Sequence, residues 1–186
     1  PVTVFGEQSG YAGATLFVGE VGNKVYAGTT EGLFFDNSEG QLIESDLVTG
    51  RIYDAIKGER GYLISTDSGI LKIDTKGVHR ISDRQYSMLA KNPNAINQLF
   101  GINKNSVTLL TIENEEIKTD IFLTIDVNIS YLHVDEQYLW IAGWDNMVYR
   151  YSPHGNFKDS FEVPVSESHS LRKIGILDDR TRNGFL

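Results

Sequence analysis

The sequence predicts an all-β fold built as a β-propeller, or a substantial part of one, on three observations. A hairpin pattern occurs four times, beginning at Val25, Tyr62, Leu99 and Leu139, with spacings of 37, 37 and 40 residues. Each hairpin is flanked by further short apolar runs, so that a unit holds four strands. The central runs, such as Leu139-Trp140-Ile141-Ala142 and Tyr62-Leu63-Ile64, are continuously apolar. A continuous run marks burial on both faces, as when a strand is sandwiched between neighbouring sheets. Four-stranded units at this period are what propeller blades require.

The four copies read VYAGTTEGLFF, YLISTDSGILK, LFGINKNSVTL and LWIAGWDNMVY. Their second place is large and apolar in every copy: Tyr26, Leu63, Phe100 and Trp140. The fifth to eighth places are polar or turn-forming except at Trp144. The ninth returns to apolar residues, Leu33, Ile70, Val107 and Met147. Strand, tight turn, strand is the signature of a hairpin.

The flanking strands follow in order. A run at Ala14–Val18 precedes the first hairpin, and the turn Asn37-Ser38-Glu39-Gly40 leads to a strand at Gln41–Glu44. Arg51–Ile56 precedes the second, and Thr75-Lys76-Gly77 leads to Val78–Ile81. Tyr86–Ala90 precedes the third, whose outer part, Glu113–Ile125, carries the acidic turn Glu113-Asn114-Glu115-Glu116. Ile129–Val134 precedes the fourth, and Pro153-His154-Gly155-Asn156 leads to Phe157–Val163. The third unit lacks the glycine turn and fits the repeat least well. The one short helix candidate, Gln85–Lys91, is stopped by Pro93. Val2–Phe5 reads as an outermost strand and Leu171–Leu177 as an innermost one. Residues 1–186 therefore read as a single propeller domain of about four blades with partial end strands. The two ends could combine into one composite blade that closes a small ring, or the chain continues past Leu186; Arg180–Leu186 is too short to supply the two middle strands of a fifth blade, which favours the second.

Composition narrows the function. Net charge is −8 over 186 residues, with 18 Gly, 4 Pro and aromatic residues at 11%. An acidic surface, with a sequence pI of 5.0, repels phosphate backbones and anionic lipid, so neither nucleic acid nor a membrane surface is an expected partner. With no cysteine, disulfides, thiolate metal sites and cysteine nucleophiles are excluded. No apolar run reaches the ~20 residues of a membrane helix. The chain opens on Pro1, as a processed chain or a piece of a longer one would.

The hairpins also resemble a known family. Lys24-Val25-Tyr26-Ala27-Gly28-Thr29-Thr30-Glu31-Gly32-Leu33-Phe34 is similar to the recurring element of the two-component-regulator propeller family. Tyr62-Leu63-Ile64-Ser65-Thr66-Asp67-Ser68-Gly69-Ile70 resembles a second copy, with Ser65 in place of the usual glycine. Leu139-Trp140-Ile141-Ala142-Gly143 resembles the family's strand start, although Trp144-Asp145-Asn146 departs from its glycine-rich turn. The opening Val2–Tyr11 is similar to the lead-in of such sensors. The resemblance implies a ligand-sensing region of a bacterial membrane receptor, extracytoplasmic and coupled to a histidine kinase, cyclase or phosphatase output. The residues alone leave a cytoplasmic location open.

Motifs for catalysis are sparse. His79, His133, His154 and His169 are scattered and read as surface or turn residues. Asp36–Gly40 lacks the alternating ligands and closing glutamate of a calcium loop and reads as a hairpin turn. Asp135-Glu136 and Asp178-Asp179 are paired acids; the first pair lies in a turn and reads as solvated, against the alternative of glycoside chemistry. There is no nucleophile elbow, phosphate loop or dinucleotide fingerprint. Asn128-Ile129-Ser130 is a sequon, relevant only on a eukaryotic secretory route.

One residue breaks its column. Trp144 stands where Thr30, Asp67 and Lys104 stand in the other copies. In a propeller this turn and the loop into the next inner strand ring one face of the disc. Trp144, with Asp145 and Asn146 beside it, can stack on a sugar, ring or peptide; the alternative is packing on a neighbouring blade. Glu31, Asp67, Lys104 and Asn105 share that rim by repeat equivalence, where polarity also suits any exposed turn. The expectation is a non-catalytic domain without cofactor or metal, taking a small molecule, sugar, peptide or protein partner, with a homodimer possible. A protein-interaction scaffold is the second reading, and a propeller glycan hydrolase or lyase the third. Alanine at Asp67, Asp145 and Glu31 without loss of any turnover would remove the third.

Overall fold

A computed structural model describes residues 12–37, 39–113 and 116–163, together with two short strands at 176–177 and 184–185. Sixteen strands form four antiparallel sheets of four. The first holds β1 (Thr15–Val21), β2 (Lys24–Thr29), β3 (Gly32–Asp36) and β4 (Leu42–Thr49). The second holds β5 (Ile52–Lys57), β6 (Tyr62–Thr66), β7 (Gly69–Asp74) and β8 (Gly77–Ser82). The third holds β9 (Met88–Lys91), β10 (Gln98–Asn103), β11 (Ser106–Glu113) and β12 (Glu116–Thr124). The fourth holds β13 (Ile129–Val134), β14 (Leu139–Gly143), β15 (Met147–Tyr151) and β16 (Phe157–Glu162). In every sheet the spatial order follows the chain. The pair β17 (Ile176–Leu177) and β18 (Gly184–Phe185) is antiparallel as well. No helix occurs among the described residues.

The four hairpins are β2–β3, β6–β7, β10–β11 and β14–β15, as the repeat predicts. The third unit, the poorest match in sequence, forms a complete sheet, and residues 88–91 of the helix candidate are strand. All four outer strands differ from the sequence boundaries, the fourth only in ending at Glu162 rather than Val163. The strand expected at 41–44 runs to Thr49, the one at 78–81 spans Gly77–Ser82, and the third unit's outer strand is Glu116–Thr124. An outer strand pairs on one side only, so its ends are poorly marked by apolar pattern. The expected Val2–Phe5 strand lies outside the described residues, as does Leu171–Leu177 apart from Ile176–Leu177.

The chain divides into two compact units, Pro1–Leu89 with Asn114–Ile117, and Ala90–Glu113 with Lys118–Leu186. In the first, residues of the first two sheets interlock in one cluster: Val21, Tyr26, Leu33 and Val48 with Ile52, Ile64, Leu71 and Ile73. Leu33, Ile52, Ile64 and Ile73 have no exposed surface. Each such side chain contributes roughly 1.5–3 kcal/mol by leaving water. Phe17 and Tyr62 meet there with ring centroids 5.6 Å apart. In the second unit Ala142 and Val148 are buried beneath Tyr131, Trp140, Phe161 and Val163.

A bulge recurs at the entry of the first strand. Pairing skips Leu16 between Thr15 and Phe17, Tyr53 between Ile52 and Asp54, and Ser130 between Ile129 and Tyr131. A bulge re-aims the extra side chain, and all three stand next to the hairpin turn of their own sheet.

Candidate functional site

The hairpin turns are secured by a shared device. The amide of the turn's first residue donates to the carbonyl just ahead of the sheet's first strand: Thr30 to Ala14 at 3.0 Å, Asp67 to Arg51 at 3.1 Å and Trp144 to Asn128 at 2.9 Å. The carbonyls of Lys104 and Asn105 accept from the amides of Ile129 and Ile125 at 2.8 and 3.0 Å. Turns and incoming links therefore lie together at one end of each unit.

In the first two sheets a buried threonine closes the turn. Thr29 Oγ1 accepts from the amides of Glu31 and Gly32 at 2.9 and 3.1 Å. Thr66 Oγ1 accepts from the Ser68 amide at 3.1 Å and donates to the Gly69 carbonyl at 3.0 Å. These bonds leave the Glu31 and Asp67 side chains free to project outward, and both residues are exposed.

Asp67 is nonetheless fixed. Its carboxylate accepts from the Arg51 amide at 2.8 Å and from the Tyr53 hydroxyl at 2.6 Å. The Tyr53 hydrogen bond, foremost, holds Asp67 below the ordinary carboxylate value, with the Arg51 amide and charge assisting. The Arg51 guanidinium lies 5.5 Å from the centre of the Tyr53 ring. Gln85 Nε2 donates to the Asp67 carbonyl. Tyr53 reaches the turn because it is the bulged residue of β5.

In the second unit Lys104 and Asn146 adopt left-handed backbone, at φ 56° and 62°. Lys104 is exposed. Trp144 is 65% exposed, so the indole does not pack away on a neighbour. Asp145 Oδ1 accepts from the Met147 amide at 3.2 Å, and Oδ2 accepts from the Tyr149 hydroxyl. The Asp145 hydrogen bond, above all, pushes Tyr149 up to about 12, with the charges of Asp145 and Asp126 contributing. Tyr151 is raised by burial first and by Asp126 second. The link residues Asn128 and Ile129 join the Trp144 and Lys104 turns through the bonds given above.

The sequence-derived residues thus fall into two groups: Glu31 and Asp67 in the first unit, Lys104, Trp144, Asp145 and Asn146 in the second. No hydrogen bond or ion pair links Glu31 to Asp67, or Lys104 to the Trp144 turn, among the described residues. Sequence reasoning missed Tyr53, Arg51 and Tyr149. Tyr149 lies two strand positions past the turn, within reach of Asp145, and that spacing is a usable signal. Tyr53 depends on a bulge that no local residue announces. Asp135, expected to be solvated, instead caps its turn through the amides of Gln137 and Tyr138, both at 2.7 Å, and takes the Trp140 indole N–H at 2.6 Å.

Comparison with solved structures decides the fold. Two structures of the extracellular domain of BT4673 from B. thetaiotaomicron resemble the chain. In one, assigned to a one component system, the TM-score is 0.64 at 17% identity, covering 91% of this chain and 24% of that one. In the other, assigned to a hybrid two component system, the values are 0.62 and 18%, covering 86% and 23%. The β-propeller domain of Myceliophteria thermophila Cps50 (Swd1) matches with a TM-score of 0.62 at 10% identity, covering 83% and 56%.

The fold is a β-propeller.

The four sheets are its blades, and the chain spans from about a quarter to little more than half of the solved chains described. No family model and no curated protein matches the chain.

Proposed function

We propose that this chain is part of the ligand-sensing propeller of a bacterial signal-transduction receptor, that it works outside the cytoplasm, and that it recognises rather than transforms its ligand. The binding surface is the end of each unit where hairpin turns and inter-blade links meet. The single observation that carries this reading is the Trp144 turn. A large aromatic, 65% exposed, stands there on a main-chain scaffold secured to the preceding link, where the other copies carry small or charged residues. Solvating an indole is unfavourable, and an exposed aromatic beside hydrogen-bonding groups suits a ligand with one flat apolar face and a polar rim.

Two further findings support the reading. The hairpin spelling resembles the two-component-regulator propellers, and the fold likeness extends to extracellular domains of a signalling system. The candidate carboxylates also have ordinary structural work. Asp67 and Asp145 each accept from a backbone amide and a tyrosine hydroxyl. Asp67 is held ionised by its hydrogen bonds, which suits binding better than proton donation.

A thermal-shift screen of sugars, amino acids and short peptides tests the proposal. A ligand at a hundred times its Kd stabilises by about 2.7 kcal/mol. Trp144→Ala is expected to remove the shift while leaving the unliganded melting temperature near that of the parent. A ligand whose shift survives Trp144→Ala would place recognition elsewhere. Turnover of any screened compound that is lost in Asp67→Ala or Asp145→Ala would favour an enzyme.

A further inference from the structure

We infer that the outer edge of the third blade is a dimerisation surface, at which β12 pairs antiparallel with β12 of a second copy of this chain about a two-fold axis at Thr119. This goes beyond the ligand-binding reading and does not depend on it.

β12 has nine residues and is the longest strand among the described residues. It ends its sheet, in the order β12-β11-β10-β9, so among the described residues only β11 pairs with it. The outer side of such a strand presents main-chain N–H and C=O groups in a row, a template for one more strand. Ile121 on this strand is 73% exposed. Asp120 is exposed as well and forms no ion pair among the described residues. Lys118, also exposed, reaches Glu113 across the hairpin. An ion pair that open to water is weakly held, and its ammonium can serve a second carboxylate.

The order of residues in the strand names the occupant. Residues 117–121 read Ile-Lys-Thr-Asp-Ile. Laid antiparallel on itself about Thr119, this segment sets Ile117 opposite Ile121, Lys118 opposite Asp120 and Thr119 opposite Thr119. Opposed residues share a face and successive residues alternate faces. One face of the joint therefore carries the isoleucines and threonines, which covers Ile121, and the other carries two ion pairs. Apolar, threonine and opposite-charge pairs are all favourable cross-strand neighbours. The other outer strands, centred likewise between their flanking apolar residues, do not match themselves. β4 about Ser45 sets Glu44 opposite Asp46, β8 sets His79 opposite Arg80, and β16 sets Asp159 opposite Asp159. Like charges so placed repel. A two-fold joint also closes on itself rather than growing into a fibre. One strand edge buries less than the roughly 1,600 Å² of a standard interface, so the dimer is weak and forms with rising concentration.

Sedimentation velocity from micromolar to millimolar chain tests the proposal, at about 0.15 M salt so that the long-range repulsion of two acidic chains is screened. The parent is expected to pass from monomer to dimer. Asp120→Lys sets lysine against lysine at both positions, and Lys118→Asp sets aspartate against aspartate. Each alone should weaken the dimer roughly tenfold or more. An equimolar mixture of the two single variants restores both opposite-charge pairs, so it should form a mixed dimer near the affinity of the parent. The double variant, Lys118→Asp with Asp120→Lys, should also recover. Both positions are exposed, and melting curves confirm that each variant folds. A parent that stays monomeric at millimolar concentration overturns the inference. A dimer indifferent to either single charge reversal overturns it too, and so does a mixture of folded single variants that fails to associate.

Discussion

Thr29 and Thr66 fill the fifth place of the repeat with no exposed surface, and each hydroxyl closes the turn that follows it. Replacing either by alanine strands buried main-chain groups. The expected cost is about 1–3 kcal/mol, read as a lower urea midpoint at unchanged slope. The turn tyrosines make a second residue-scale test. Tyr149 holds its proton to about 12. A folded value above the ordinary 10.0 gives stability that is fully present below that value and is lost as pH rises towards 12. Ultraviolet titration of Tyr149→Phe should therefore lack a late phenolate step that the parent shows. Asp67 behaves oppositely: its lowered value gives stability that is lost on acidification through the folded pKa. Tyr53→Phe removes the main cause, and carbon NMR should show Asp67 titrating closer to the ordinary 3.8. The placing of Trp144, Asp145 and Asp67 in hairpin turns was legible in the sequence because the four copies align there. Their phenolic partners were not, because hydrogen bonds between strands depend on register and on a bulge.

At the scale of the element, two glycines separate backbone strain from crowding. Gly69 opens β7 with φ +114°, and a Cβ there would strike the Ser82 carbonyl and Asp83. Gly77 opens β8 with φ +122° and has nothing within 4 Å of that position. Gly77→Ala is expected to cost about 1–2 kcal/mol from the left-handed backbone alone, and Gly69→Ala distinctly more, because β8 must also move. Equal losses in urea melts would show that the β7–β8 junction yields freely. Gly69 is the turn glycine of the hairpin signature, so its strand boundary was readable. Strand ends at β4 and β12 were not, because outer strands mix exposed and half-buried residues without a clean stop. Ser65, standing where the resembled family has glycine, finds a role in the structure. Its hydroxyl donates to the Tyr86 carbonyl at 2.5 Å and joins β6 to the chain ahead of β9.

For the molecule as a whole, the spacing of the hairpins made the all-β repeat visible before any contact was known. The reason is physical: each sheet buries its apolar faces only by stacking, so large residues return at the same place in every copy. Tyr26 and Phe100 are buried as the second column expects. Trp140 is only half-buried and instead lies under the Arg150 guanidinium, 5.3 Å from its ring, with Arg150 paired to Asp159. Apolar columns forecast packing well and polar substitutes for it poorly. Ile64, in the cluster shared by the first two blades, gives the stability test at this scale. Ile64→Ala should cost about 2–5 kcal/mol and lower the melting temperature of both blades together.

The most direct measurement is a set of backbone NOEs that reads strand pairing. The account predicts close contacts for registered pairs within each blade, such as Ala55 with Ile64 and Ile141 with Tyr149. It also predicts contact of the Asp67 and Trp144 amides with Arg51 and Asn128. Pairing of β4 with β5, or of β12 with β13, into one continuous sheet would contradict it.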